Sequence, residues 1–584
     1  MLSDQGVVDS TGWHLKEGQA VPVPTSLQSL IGSRLDQLMH PERRVAQHAS
    51  VVGSTFWPGA VAHLQDETAT TADVELLQRI DVLERRDLVR EHEQSSVAGE
   101  REYGFKHIII RDVAYGRMPK GRRAQLHLRF GDWVEDLPAL DEFVEIVAYH
   151  LEQACRLTRE IARATIEPPI ERAVRALSHA GERAEAREGM READRFYARA
   201  LEIVESDSEA ALELRLRRAT VLIVLGKAQD ALELLEPIAD QAQAAGRLDL
   251  RCEALLTLAL VDHRQGRATE AQKRLDEAHK LAVQVGDRRR QIRAAFSLAS
   301  VKGDTGGADE ALEELGRAVS IAEEIEDRPL RVQGHLRAGF LLYNKGELAA
   351  AEEQLERCSL LAAELGSSRM EALATFLLGL IKFLRGDLED AERLGEQAKG
   401  WLERTGDTYI QIQNLVALAQ YGLARDDAPL AEERLREALP LALGEGSWLV
   451  GDIYRFLTEA LLRQGRVEDA AELVEFAARG VPEDQPQMRA FVLLAEGSLA
   501  AARGEPALVG DRYDEALELL EQLDLRIDLS VARISYGRAL RELGDLDGAR
   551  EQLERAREAC IPMGAIGLAA EVERELTLVG SRAG

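Results

Sequence analysis

Phosphate chemistry, metal chemistry and nucleophilic catalysis each need particular side chains at particular spacings, and this chain of 584 residues holds few such sets. Two lysines adjoin glycines, Lys227 after Gly226 and Lys345 before Gly346. A phosphate loop also needs an earlier glycine and a hydroxyl after the lysine. Neither lysine has both, and no Gly-x-x-x-x-Gly-Lys-Ser/Thr run occurs in the chain. No apolar run ends in an Asp-Asp or Asp-Glu pair that could hold a nucleotide's magnesium. The cysteines Cys155, Cys252, Cys358 and Cys560 stand far apart without metal-ligand spacing, so they read as small buried side chains of a reduced, cytoplasmic protein. No Ser/His/Asp, Cys/His or carboxylate set can be assembled. The expectation is therefore a non-enzyme, with no catalytic residue and no metal site.

What remains are candidates for binding. His107 stands in Phe105-Lys-His-Ile-Ile-Ile-Arg-Asp-Val-Ala114; an imidazole there could donate to a phosphate and carry charge near neutral pH, or could simply pack at a strand-to-helix junction. Arg43-Arg44, Arg122-Arg123 and Arg288-Arg-Arg290 are short basic runs in a chain of net charge −29. That charge opposes a broad nucleic-acid surface, and the runs read as solvated faces or local acidic contacts. Trp401 and Trp448 could shape an aromatic peptide pocket or fill the core.

The elements that must position these residues are marked by glycine. Gly226, Gly266, Gly306, Gly346, Gly386, Asp426, Gly465, Gly504 and Gly544 recur every 39 or 40 residues. Five residues after them come Ala231, Ala271, Ala311, Ala351, Ala391, Ala431, Ala470 and Ala549, with Val509 the exception. Seven residues before them stands a small residue, as at Ala259, Gly339 and Gly537. A second glycine set, including Gly246, Gly286, Gly366, Gly406, Gly446 and Gly564, falls half a period later. Glycine can take the left-handed conformation that ends a helix, and the segments between carry apolar residues at three- and four-residue spacing. Each period is thus two antiparallel helices of about 16 residues, roughly 24 Å long. A helical hairpin cannot bury its apolar face alone, so the hairpins must stack. With 30% charged and only 5% aromatic residues, the composition also fits long amphipathic helices and a mainly α fold. No run is long and apolar enough for a membrane span, and no secretory leader is evident at Met1.

The three columns in phase resemble the tetratricopeptide repeat family, most cleanly at Gly386-Asp-Leu-Glu-Asp-Ala391 and Gly544-Asp-Leu-Asp-Gly-Ala549. The lengthened period is similar to repeats in bacterial signalling ATPases of the MalT and LuxR type. The resemblance implies a right-handed superhelix of nine repeats over residues 205–564, with a capping helix and tail at 565–584. A helical connector over 138–204 carries a degenerate repeat around Gly189, Ala193, Tyr197 and Ala200.

Residues 23–137 lack the period. Four helical stretches, over Thr25–Leu38, Pro41–Val52, from Trp57, and through Val74–Glu84, precede two extended runs, Leu88–His92 and Arg101–His107, around a polar turn. Two more helices follow. This order resembles a winged helix, and Val23-Pro-Thr-Ser-Leu, Ala49-Ser-Val-Val-Gly-Ser-Thr-Phe56 and Phe105–Tyr115 resemble the segment after the nucleotide-binding core of STAND signalling ATPases. Such ATPases are fused to class III adenylate or guanylate cyclases, kinases or LuxR-type regulators. Residues 1–22, with Trp13, look like the remnant of a nucleotide-binding domain or its linker. The resemblance implies that His107 contacts the β-phosphate of ADP, although the motif's aspartate is Ile108 here. It implies no cofactor in this chain alone, with ATP or ADP entering only if a nucleotide-binding domain is supplied in trans. The functional expectation is a cytoplasmic regulatory scaffold that binds a protein, peptide or small effector on its solenoid. It would serve a separate nucleotide-binding or cyclase domain, without nucleic acid or membrane. The alternatives are an ATP-binding or cyclase role by relation to full-length homologues, and transcriptional regulation.

Overall fold

The computed structural model describes residues 25–65, 72–137, 140–161, 166–304, 307–482 and 485–583. Residues 1–22 and Gly306 lie outside them. The described chain holds twenty-eight helices and three short strands, and divides into two compact units. One comprises residues 1–180 with 199–206, the other 181–198 with 207–584.

The first unit opens with α1 (Thr25–Asp36), α2 (His40–Val52), β1 (Thr55–Phe56), α3 (Pro58–Gln65) and α4 (Ala72–Arg85). There follow β2 (Val89–Glu91), β3 (Tyr103–Phe105), α5 (Ile108–Gly116), α6 (Lys120–Glu135) and α7 (Leu140–Arg159). The strands form one antiparallel sheet in the order β1-β3-β2. The two extended runs expected from the sequence pair as β2 and β3, but β1 is an addition. Thr55 and Phe56 extend because Phe56, fully buried, stacks on Tyr103 at 5.8 Å and tilts against Phe105 at 5.6 Å. The polar turn is fastened by Glu102, which accepts from the Ser96 amide (2.9 Å), the Ser96 hydroxyl (2.6 Å) and the Trp57 indole (3.2 Å). Burial pushes the Glu102 carboxyl up, but those bonds and His92 outweigh it and hold it below its ordinary range.

Next come α8 (Ile170–Ala186) and α9 (Met190–Ile203), followed by paired helices. The pairs are α10 (Glu209–Val224) with α11 (Ala228–Ala244), α12 (Leu248–Arg264) with α13 (Ala268–Val285), and α14 (Arg288–Asp304) with α15 (Ala308–Glu324). Then come α16 (Arg328–Asn344) with α17 (Leu348–Leu365), α18 (Ser368–Leu384) with α19 (Leu388–Thr405), and α20 (Thr408–Ala424) with α21 (Ala428–Glu445). The last are α22 (Val450–Arg463) with α23 (Val467–Arg479), α24 (Pro486–Arg503) with α25 (Pro506–Gln522), α26 (Arg526–Leu543) with α27 (Leu546–Met563), and a final α28 (Ile566–Ala583).

In the second unit each even-numbered helix from α10 to α28 packs on the next even-numbered one, giving an inner layer backed by the odd-numbered helices. The two layers bury differently. Inner α20 buries Asn414 to Ala419 without a break, whereas outer α21 buries Ala428, Ala431, Leu435, Ala438, Ala442 and Glu445, one stripe of a two-faced helix. The eight alanines singled out by spacing are all fully buried. Close packing needs the small column too: a Cβ on Gly339 would lie 2.6 Å from Leu355 Cγ. Among the turn positions Asp426 takes the left-handed φ of 62° that its neighbours leave to glycine, as at Gly386 (φ 87°).

The helix pairs curl until the array meets itself. Gln265 Nε2 donates to the Glu445 carbonyl at 3.2 Å, and Gln485 Nε2 to the Gln265 carbonyl at 2.6 Å. The Trp448 amide donates to the Arg264 carbonyl at 3.4 Å. Nearer the start of the same seam, the Arg369 amide and Ser367 hydroxyl both donate to Glu188 Oε1, at 2.8 and 3.2 Å. Residues about 180 positions apart thus touch.

Candidate functional site

The inner layer lines a partly open cavity of about 570 Å³, within the roughly 300–1,000 Å³ usual for small-ligand pockets. On its helices the residues thirteen, nine and six places before the turn position line the lumen. These are Arg293, Ser297 and Ser300 on α14, and Gln333, Arg337 and Phe340 on α16. On α18 they are Leu373, Leu377 and Leu380, and on α20 Gln413, Ala417 and Gln420. The i, i+4, i+7 spacing makes them one helical face.

The lining is mostly apolar and carries two clusters of charge. Phe296, Phe376, Phe383 and Ile410 join the leucines of α18. Trp448 stacks on Phe491 with centroids 6.5 Å apart and lines the cavity, whereas Trp401 packs against the core. One charged place gathers Arg293, Arg337 and Arg369. Arg293 pairs with Glu253 at 2.7 Å, and Arg369 with Asp407 at 2.5 Å. Arg337 donates from Nε to the Phe296 carbonyl at 3.3 Å and stands 5.7 Å over the Phe296 ring. No carboxylate among the described residues reaches Arg337 within 4.0 Å. Burial, then the like charges of Arg369 and Arg293, pull its guanidinium down to about 10.

The second charged place is acidic. Arg455 stands 3.9 Å from Asp452 and 3.7 Å from Asp528. Neither terminal nitrogen of Arg455 nor Asp452 Oδ1 has a hydrogen-bond partner. Burial pushes the Asp452 carboxyl up to about 7, with Arg455 opposing and Asp528 adding to the rise. Burial raises Asp528 as well. Gln333, Gln413, Gln420 and Gln487 also line the cavity, and no hydrogen bond joins their side chains to the described residues.

A buried ionic seam lies where the turns of the array meet. Asp407, fully buried, accepts from Arg369 Nε at 2.8 Å, and Arg264 stands 4.0 Å from Asp407 and 3.9 Å from Glu445. Arg264 also covers the Tyr409 ring at 4.6 Å. Both Glu445 oxygens lack hydrogen-bond donors, and burial pushes its carboxyl up to about 7 despite Arg264.

The residues singled out from sequence go elsewhere. His107 is exposed at the N-cap of α5 and makes no capping bond with its side chain. It is therefore not the packed junction histidine of the alternative reading. Lys227 and Lys345 pair with Asp194 (3.7 Å) and Asp309 (2.7 Å). Arg289 and Arg290 pair with Asp327 and Glu253, and Arg43 caps carbonyls of Leu35 and Leu38. The four cysteines are free and buried. A second buried polar chain, Tyr115 Oη to His127 Nε2 (2.8 Å) and His127 Nδ1 to His150 Nδ1 (2.9 Å), ties α5, α6 and α7 together. Burial holds both imidazoles neutral. Among the described residues no group of His, Cys, Asp and Glu is placed to hold a metal ion, and no helix is long and apolar enough to cross a membrane.

Residues 249–324 match the tetratricopeptide repeat family model. No curated protein matches the chain. Among solved structures, the chain is similar to a signal transduction ATPase with numerous domains, a STAND protein with a tetratricopeptide repeat sensor from Pyrococcus horikoshii, at 15% identity and TM-score 0.41. That match covers 77% of this chain and 63% of that one, so the chain spans less than two thirds of that protein. A Rap protein complexed with competence and sporulation factor is similar at 16% identity and TM-score 0.40, over 71% of this chain and 99% of that one. A chain of the APC/C hetero-tetramer Cut9–Hcn1 is similar at 13% identity and TM-score 0.46, over 87% of this chain and 96% of that one.

Proposed function

We propose that this chain is a non-catalytic regulatory scaffold whose tetratricopeptide-type array, built on hairpins of 40 residues, receives a peptide or small effector inside its lumen. The observation that carries the reading is the cavity itself, mostly apolar, charged at two places and lined with glutamine amides that no described residue engages. Amides of that kind suit the backbone of a bound peptide, because a peptide presents a donor and an acceptor at nearly every residue.

The first unit reads as a winged helix that couples effector binding to a STAND-type nucleotide-binding module in the cytoplasm. The order helix, strand, helix, helix, strand, strand from α2 to β3 supports this. Exposed His107 would then be available to the ADP of a nucleotide-binding domain supplied in trans. Coupling would be reciprocal, the effector changing nucleotide affinity by the same factor as the nucleotide changes effector affinity.

A thermal-shift screen of the intact chain tests the receptor reading. Pooled short peptides and anionic metabolites should include members that raise the melting temperature, and Leu377→Trp, which fills the lumen, should abolish the rise. A shift that survives Leu377→Trp would place binding outside the cavity and overturn the reading.

A further inference from the structure

The lumen is not symmetric in charge, and its asymmetry specifies what fits. At one place three guanidinium groups converge, and two of the three have carboxylates of their own, Glu253 for Arg293 and Asp407 for Arg369. Arg337 has none among the described residues, only a carbonyl and the face of Phe296. A half-buried guanidinium with spare donors beside two like charges is costly unless an anion completes it. The acidic place has the opposite surplus, since Asp452 and Asp528 share the single Arg455 at 3.9 and 3.7 Å. Tyr343, which lines the same cavity, feels both aspartates: burial and then Asp528 and Asp452 raise its phenol. Arg337 and Tyr343 are six residues apart on α16, about 9 Å along its axis.

We propose that the lumen takes a short peptide with its C-terminal carboxylate on Arg337 and its N-terminal ammonium on Asp452 and Asp528. This rests on the receptor reading above and assigns its ligand class. A bidentate guanidinium–carboxylate pair replaces the missing counter-charge at one end. An ammonium at the other end offsets the cost of burying two carboxylates that share one arginine. The lining phenylalanines and leucines take apolar side chains, and Gln333 and Gln413 meet the backbone.

The test uses a pooled library of free tetrapeptides, the same library C-terminally amidated, and the same library N-acetylated, each captured on the intact chain and read by mass spectrometry. Wild type should retain the free library at least tenfold better than either blocked one. Arg337→Gln should lose the discrimination against amidation and keep that against acetylation; Asp452→Asn with Asp528→Asn should do the reverse. Arg337→Lys, which keeps the charge, should recover part of the first effect, and the wild-type comparison of libraries stands even if a variant misfolds. Equal retention of free and amidated peptides by wild type overturns the carboxylate assignment and leaves the receptor reading intact. No retention of any library overturns both. Displacement of the free library by inorganic phosphate, but not by chloride at matched ionic strength, would reassign the anion to phosphate and overturn the peptide.

Discussion

Replacing Glu445 by glutamine removes a charge that the meeting of superhelical turns leaves without hydrogen-bond donors. Its carboxyl is pushed up to about 7 from an ordinary 4.5 by burial, with Arg264 at 3.9 Å offsetting part of the cost and Asp407 adding to it. The folded protein therefore holds a proton there that the unfolded chain releases near pH 4.5. Stability from this group is full below that pH and is lost as pH rises through about 7. A shift of about 2.5 units corresponds to about 3 kcal/mol at most, and relaxation of the seam brings the expected effect to about 1–3 kcal/mol. Glu445→Gln should then leave stability nearly unchanged at pH 5 and raise it by that amount at pH 8. Asp452, also near 7, contributes a parallel loss, so Glu445→Gln with Asp452→Asn should gain more at pH 8 than either alone, while buried His127 and His150 contribute equally to every variant. Urea unfolding between pH 5 and 8 measures the slope, and amide exchange of residues 262–268 and 443–450 localises it. An unchanged slope in the single variant, or a gain at pH 5 equal to that at pH 8, would refute the argument.

Gly339→Leu should destabilise the array by about 1–3 kcal/mol or more, because its Cβ alone would lie 2.6 Å from Leu355. Exposed Glu389→Ala should change stability by less than about 0.5 kcal/mol, both read by urea unfolding. His107→Ala should leave the melting temperature of the chain unchanged, since the imidazole is exposed and caps nothing. In a mixture with a nucleotide-binding domain it should weaken ADP retention, and a melting loss with intact retention would end the nucleotide-sensing role. Maleimide should label none of Cys155, Cys252, Cys358 or Cys560 in native buffer, and labelling should track unfolding, because all four thiols are buried and burial raises each pKa. Rapid native labelling of any one would contradict its position.

The framework of the array was legible because packing repeats. Every hairpin needs a small residue where helices approach and a left-handed residue where the chain turns, so the same types return in the same columns. The strand β1 was missed because two residues carry no period, and Phe56 extends only to reach Tyr103 and Phe105. The lumen was missed for the opposite reason from the framework. Its columns hold Arg293, Gln333, Leu373, Gln413 and Asp452 in equivalent places. Such a column carries no repeated signal, yet variation at a fixed inward position marks a surface shaped for something other than packing. Arg337 gave no sequence sign either, since the missing counter-charge is a property of its neighbours in space. His107, chosen from its motif, sits instead on the surface of the other unit.

The self-contact of the array has a consequence for its evolution. An open solenoid can gain or lose a hairpin and keep all its remaining interfaces, since each unit answers only to its neighbours. Here Gln265 is matched to Glu445 and Glu188 to Arg369 across about 180 residues. Deleting one hairpin between them would shift every later residue against its partner on the previous coil and leave Arg264, Asp407 and Glu445 in mismatched company. The number of hairpins between those partners is therefore locked by phase. Single substitutions can still retune the lumen, whereas gaining or losing a hairpin between them breaks the seam.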